Sequence, residues 1–236
     1  MKSRRVTAVQ RSVYGVFMIY FAAHSMASDR QSDSKGKTDH LVPVDSHIEP
    51  AYRQLLSSRL VLSGANYAGI LVMRSTDEGE FAIAIHSQRP QNRADGTAVT
   101  CTRAEKNLWY SMLKAQQTKA NVPTVPVART DAPIPKSTAV AVSKAIGQMI
   151  ARSRPPNHSI DVLDGTDIEF SVESENREVL SALLGPYAHG QYTRALHQLT
   201  KLLIDYCDAG SAERPQHVRE IEDQAIRLLE MLKRER

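Results

Sequence analysis

Cys101 and His158 are the residues of this sequence that best suit covalent catalysis. Cys101 directly precedes Thr102, and a Thr followed three positions later by a Glu, here Glu105, is the pattern of a helix capping box. We therefore expect Cys101 at the start of a helix, where backbone amides favour the reactive thiolate. His158, at the start of a predicted strand, would supply the base of a cysteine–histidine hydrolase.

Asp161, Asp167 and Glu169 form the second group with chemical potential, because they share one face of a predicted β-hairpin. Carboxylate oxygens are the ligands that Ca²⁺ prefers. Their spacing, however, departs from that of an EF-hand loop. We favour a solvated sheet face, and we predict neither a metal site nor a cofactor for this chain.

The amino terminus has the three-part layout of a secretory signal peptide. Residues 1–11 carry four basic side chains and no acidic one, residues 12–23 are apolar, and small residues stand at positions 25 and 27. This apolar stretch is shorter than the roughly 20 residues of a membrane span. We predict a signal peptide over residues 1–27 and a secreted or periplasmic protein without a stable membrane anchor after cleavage. An uncleaved signal anchor is the alternative.

A polar run follows the predicted cleavage point and indicates a flexible linker over residues 28–44. The net charge of +4 also originates before this run. Lys and Arg number 30 and Asp and Glu 26, and residues 1–27 hold four of the basic residues and none of the acidic ones. The mature chain is then neutral, with scattered basic residues, and nucleic acid is excluded from the expected partners.

Export bears directly on Cys101 and Cys207, the two cysteines of the chain. Pairs of thiols seldom stay free in an oxidising compartment. Cys207 lies near the end of a predicted helix, and antiparallel packing of that helix against the one expected after Cys101 would bring the two residues together. We therefore predict a Cys101–Cys207 disulfide, which competes with the hydrolase because it consumes the thiol.

Hydrophobic periodicity predicts one α+β domain over residues 45–210, with two β-hairpins packed against several helices, and an amphipathic C-terminal helix within residues 211–236. The predicted helices cover residues 50–62, 103–119, 139–153, 175–184, 191–208 and 216–234, and the hairpins cover residues 67–86 and 158–173. Prolines indicate an extended surface crossing over residues 121–136.

The register of the second hairpin follows from its side chains. A three-residue loop with Gly165 at positive φ places Ile160 opposite Ile168 on an apolar face. The acidic residues then collect on the other face. A one-residue slip would mix apolar and acidic side chains, so we predict the bulged loop.

These patterns together favour a binding module without a catalytic motif: an inhibitor or immunity-type protein that binds an envelope enzyme. The alternatives are a hydrolase using Cys101 and His158, and a structural envelope component. The expected ligand is a protein. The apolar stripe of residues 216–234 also suits a homodimer seam, but we favour packing against its own domain.

Overall fold

A seven-stranded antiparallel sheet and five α-helices make up the part of the chain that the structure, a computed structural model, describes. That part comprises residues 39–44, 49–60, 66–74, 79–87, 96–121, 124–155, 165–174, 176–186 and 188–234. The strands are β1 (Val42–Pro43), β2 (Ala68–Arg74), β3 (Phe81–Ser87), β4 (Thr97–Ala104), β5 (Val127–Ile134), β6 (Thr166–Glu173) and β7 (Val179–Leu184), in the order β1-β7-β6-β2-β3-β4-β5. The helices are α1 (Pro50–Arg59), α2 (Leu108–Thr118), α3 (Lys136–Ile150), α4 (Gln191–Asp208) and α5 (Arg214–Lys233).

The middle of the sheet is apolar on both sides, as the nearly continuous apolar run of β2 predicts. Ile70 and Val72 of β2 are buried on one face, and Leu71 and Met73, which alternate with them, are buried on the other. The hairpin predicted over residues 67–86 is confirmed by the pairing of β2 with β3.

Three helices cover one face of the sheet, which we call the helix-rich face. The periodicity that predicts α3, α4 and α5 also identifies their buried sides: Val142, Ile146 and Met149 of α3 and Leu196, Leu199 and Leu203 of α4 are all buried. The mixed α+β architecture is therefore confirmed.

Helix α5 packs against α3 and α4 of its own chain. Its stripe of Ile221, Ala225, Leu228 and Leu232 is almost completely buried there. The homodimer predicted through residues 216–234 stays a prediction, and a dimer seam would have to use other faces of this helix.

Helices α1 and α2 lie on the opposite face, which we call the two-helix face. Its smaller core is formed by residues of both helices, of the strands beneath them and of two connecting segments: Tyr52, Leu56, Leu60, Leu71, Met73, Ala82, Ala104, Leu108, Met112 and Val125. Two layers of helices thus enclose the sheet, and the layers differ in size.

Residues 179–184 form the strand β7, so the helix predicted over residues 175–184 is wrong. Ala182 and Leu184 are buried at a spacing of two, which is the period of a strand. The segment contains good helix formers such as Leu and Ala, but pairing with β6 outweighs local propensity.

The second strand of the hairpin predicted over residues 158–173 is confirmed as β6. Ile168 and Phe170 are buried at alternate positions, and Gly165 has the predicted positive φ, 148°. The predicted neighbour is wrong, because Ile168 lies between Val72 of β2 and Leu184 of β7 rather than opposite Ile160. Residue 160 itself lies outside the described residues. A strand distant in the sequence, β2, provides a partner that the side-chain pattern of the adjacent segment does not reveal.

The capping box predicted at Thr102 is wrong, because Thr102 lies within β4. Helix α2 begins only at Leu108, and the side chain of Asn107 accepts a hydrogen bond from the backbone amide of Tyr110 at 2.9 Å. Asn is a preferred N-cap residue, and here it begins the helix four residues after the strand. Cys101 therefore lies in the middle of a strand.

Two extended segments differ from the expectation as well. Part of the crossing predicted over residues 121–136 is the edge strand β5, which tolerates Pro133 because its outer side pairs with no described strand. The linker predicted over residues 28–44 ends too late, since Leu41 is fully buried and β1 pairs with β7.

Candidate functional site

Cys101 and Cys207 lie side by side at disulfide-bonding distance. Cys101 projects from β4 to the helix-rich face, and Cys207 approaches it from the end of α4, with the Cα atoms 6.0 Å apart. Cα separations of about 4.4–6.8 Å are usual for disulfides. The geometry is compatible with the predicted bond, which would link α4 to the centre of the sheet.

The structure does not place Cys101 at the start of a helix, as the predicted hydrolase requires. This residue is buried within a strand, so no helix N-terminus activates its thiol. His158 lies outside the described residues, and nothing in the described part of the chain brings the two together. Among the described residues, no group of three His, Cys, Asp or Glu side chains is arranged to hold a metal ion.

Asp167 and Glu169 share the two-helix face of β6, beneath α1. The guanidinium of Arg53 lies 3.6 Å from a carboxylate oxygen of Glu169, whose side chain is only 14% exposed. Burial raises the pKa of both carboxyl groups, and the charge of Arg53 partly opposes this for Glu169. The predicted solvated face is therefore wrong for these two residues, and Asp161 lies outside the described residues.

Glu80 is a buried carboxylate that the sequence reasoning missed. One oxygen accepts hydrogen bonds from the hydroxyl of Tyr52 at 2.7 Å and the backbone amide of Trp109 at 3.2 Å, and the other accepts from the amide of Leu108 at 2.7 Å. Burial and the Glu80 charge raise the pKa of Tyr52, which keeps its hydroxyl a donor. This cluster anchors α1 and the first turn of α2 to the sheet.

Three hydrogen-bonded polar side chains form a row across strands β3, β4 and β5 on the two-helix face. The hydroxyl of Thr100 donates to a carboxylate oxygen of Asp131 at 2.5 Å, and Nε2 of His86 lies 2.9 Å from the same hydroxyl. The hydrogen bond from Thr100 lowers the pKa of Asp131. Thr100 is 3% exposed. Because the Thr100 hydroxyl is buried and contacts both neighbouring side chains, this row of hydrogen bonds ties edge strand β5 to the sheet and does not present a nucleophile.

A cleft opens beside the first turns of α4, where β6 begins and β7 ends. Its volume is about 510 Å³. It is lined by the strand residues Thr166, Ile168 and Leu184, the loop residues Gly185, Pro186, Ala188 and His189, and the α4 residues Arg194, His197 and Gln198. Buried apolar side chains form its floor and nitrogen-bearing side chains its rim.

Helix geometry explains how α4 supplies this rim. Arg194, His197 and Gln198 are spaced by three and four residues, so they project from one side of the helix. All three are exposed, whereas Leu196 and Leu199 on the other side are buried in the core. The same periodicity that identifies the buried side of α4 also identifies this polar side, but only the fold shows that it faces β6 and β7.

The electrostatic character of the cleft is set by what lines it. Arg194 is a permanent cation, and two histidines lie around the same opening. None of the described residues that line the cleft carries a carboxylate. Asp39 lies at the start of α4, but its carboxylate accepts hydrogen bonds from the amides of Tyr192 at 2.7 Å and Thr193 at 3.0 Å. The described residues of the cleft therefore offer a cation and hydrogen-bonding groups that no described carboxylate pairs with.

In the part of the chain that the structure describes, no helix has the length and apolarity to cross a membrane. No known protein family, curated protein or solved structure matches the chain.

Proposed function

We propose that the protein is an exported binding module without catalytic activity, and that the cleft beside α4 is where it binds a protein partner. The observation that carries the proposal is the pairing of a buried apolar floor with polar side chains that no described residue engages. Sites of this kind, with volumes of roughly 300–1,000 Å³ and a few convergent polar groups, are typical of ligand recognition.

The floor and the rim have separate parts in such binding. Ile168 and Leu184 are at most 4% exposed, so they form a fixed surface rather than mobile side chains. Arg194 and Gln198 stand at the opening, where they meet a ligand before the floor does. An open cleft of this size accommodates a short segment of a partner protein.

Export is the second part of the proposal. It is supported by the charge, apolar and small-residue succession of residues 1–27 and by two cysteines at disulfide-bonding distance. In its narrower form, the proposal is that the protein is an inhibitor or immunity-type partner of an envelope enzyme.

Site-specific photo-crosslinking in the producing cell tests this function. A photoreactive amino acid is placed at Gln198 in the cleft and, as the matched control, at Arg227, an exposed position of α5 outside it. We expect a discrete crosslinked species from position 198 only, containing an exported protein and a mature chain that begins at or near Ser28. Equal crosslinking at both positions, or a chain that retains Met1, would contradict the proposal.

A further inference from the structure

Building on the proposed binding function, we infer that the cleft beside α4 recognises a peptide carboxylate next to an apolar side chain. Three features of the cleft carry this inference: an arginine that no described residue pairs with, a neighbouring carboxylate that caps α4 instead, and partly exposed apolar lining residues.

Arg194 is the first feature. Its planar guanidinium donates two parallel hydrogen bonds to a carboxylate, a geometry that a lysine does not reproduce. No described residue forms a hydrogen bond or ion pair with the Arg194 side chain, whereas Lys201, two turns further along α4, is paired with Asp205 at 2.7 Å. His189 and His197 add ring nitrogens around the same opening.

The second feature is that the carboxylate of Asp39, at the start of α4, already accepts hydrogen bonds from the helix backbone. Asp39 caps α4 through the amides of Tyr192 and Thr193, and the hydroxyl of Thr193 also lies 3.4 Å from the same oxygen. Gly190 permits this close approach, because a Cβ at that position would collide with the Asp39 side chain. Asp39 thus stabilises the helix start, and it forms no ion pair with Arg194.

The apolar floor narrows the ligand class. An inorganic anion would use only the rim and leave the partly exposed apolar residues of the cleft, Pro186 and Ala188, uncovered. An apolar side chain beside the carboxylate fills that space, and burial of apolar area adds to the affinity. Gln198 has both a donor and an acceptor, which suits a peptide backbone group. The carboxylate can be the α-carboxylate of a chain end or the side chain of an internal Asp or Glu.

Binding of three short peptides to the purified mature chain tests the inference by calorimetry. The first, acetyl-Gly-Ser-Gly-Leu, has a free α-carboxylate; the second is the same peptide with a C-terminal amide; the third, acetyl-Gly-Glu-Leu-amide, has only a side-chain carboxylate. We expect the first or the third to bind at least about tenfold more tightly than the second, since hydrogen bonds to charged groups are worth that factor or more. Which of the two binds identifies the source of the carboxylate.

Variants assign this preference to the cleft. Arg194→Gln should weaken the preferred peptide about tenfold, whereas Arg227→Gln, which removes the same charge from exposed α5, should leave its affinity unchanged. Replacing the Leu of the peptide with Ser should also weaken binding. Both protein variants are first compared with the wild type by thermal melting, so that a folding defect is not mistaken for lost recognition.

Equal binding of all three peptides, no binding of any, or an unaltered affinity in Arg194→Gln would overturn the inference. A partner that still crosslinks to position 198 in that case leaves the proposed function standing with a different ligand chemistry. Loss of both crosslinking and peptide binding would overturn the two together.

Discussion

The two faces of the sheet are held by different means. On the helix-rich face, α3, α4 and α5 bury a large apolar core, and Cys101 and Cys207 lie at bonding distance across it. On the two-helix face the core is smaller, and the buried carboxylate of Glu80 holds the hydroxyl of Tyr52 and the first amides of α2. Apolar area stabilises one layer, and directed hydrogen bonds position the other.

The difference follows from helix length. Helices α4 and α5 have 18 and 20 residues, whereas α1 and α2 have 10 and 11. A short helix buries little apolar surface, and its first backbone amides need partners whatever its length. A carboxylate at the start of α2 satisfies these amides and interacts favourably with the helix dipole. A small layer therefore depends more strongly on a single polar residue.

Cys207→Ser tests the helix-rich face and has the largest expected effect on stability. The two cysteines are 106 residues apart, and the chain-entropy description of a disulfide closing such a loop gives roughly 4–5 kcal/mol as an upper figure. We expect a lower melting temperature for the variant in oxidised, exported protein and no difference after reduction.

Non-reducing peptide mapping is the direct measurement for this bond, and Cys101→Ser is the matched variant, which should lose as much stability as Cys207→Ser. Two alkylatable thiols in native exported protein would show that apolar packing alone holds this face.

Glu80→Gln tests the two-helix face, with a smaller expected effect. The substitution keeps the shape of the side chain but removes the charge and replaces one acceptor oxygen with a donor. We expect a loss of about 1–3 kcal/mol in the free energy of unfolding, because buried donors lose their partner. Urea unfolding measures the loss, and hydrogen exchange should show reduced protection in α2 while α4 keeps its protection.

Tyr52→Phe is the control for Glu80→Gln. It removes one donor and leaves both oxygens of Glu80 on the backbone amides, so its cost should be smaller, about 1 kcal/mol. If Glu80→Gln is as stable as the wild type, the buried carboxylate does not hold this layer, and the contrast between the faces fails.

Asp167→Asn has the smallest expected effect and depends on pH. Because burial raises the pKa of Asp167 above its ordinary 3.8, the folded state binds more protons than the unfolded state just above that pH. The carboxyl group therefore lowers stability as pH rises, and its penalty is complete at neutral pH. We expect Asp167→Asn to be more stable at pH 7, by less than about 1 kcal/mol, with the gain vanishing as pH falls toward 4.

Asp131→Asn should change the stability at pH 7 in the opposite direction to Asp167→Asn. The hydrogen bond from Thr100 lowers the pKa of Asp131, so its ionised form stabilises the fold above its ordinary pKa of 3.8, and this stability is lost as pH falls below it. Asp131→Asn should therefore lose stability at pH 7 and approach the wild type in acid. Unfolding measured at both pH values separates the two variants. Changes of the same sign would contradict the assignment of burial as the dominant effect on Asp167 and of the Thr100 hydrogen bond as the dominant effect on Asp131.

Sequence periodicity alone determined much of the helix-rich face. The spacing of Leu196, Leu199 and Leu203 identifies α4 and its buried side, and residues at the period of a helix do the same for α3 and α5. The β2–β3 hairpin follows from two apolar runs with a polar connection. These elements are long or have neighbours close in the chain, so local pattern and tertiary packing agree.

The tertiary structure decided what depends on distant partners. Val179–Leu184 is a strand because β6 pairs with it, and β6 lies between β7 and β2 although its nearest segment in sequence looked complementary. Thr102 belongs to a strand because β3 and β5 flank it on both sides. Side-chain propensity is weaker than a ladder of hydrogen bonds in a buried sheet.

The candidate site shows the same division. The sequence by itself determined that Arg194, His197 and Gln198 share one side of α4, and that Cys101 and Cys207 are the residues able to form a disulfide. Only the tertiary structure placed that side of α4 over Ile168 and Leu184, and only it placed Glu80 beneath the first turn of α2. The physical reason is that one helix specifies which side chains project together, whereas a cleft or a buried carboxylate needs elements that meet only when the chain folds.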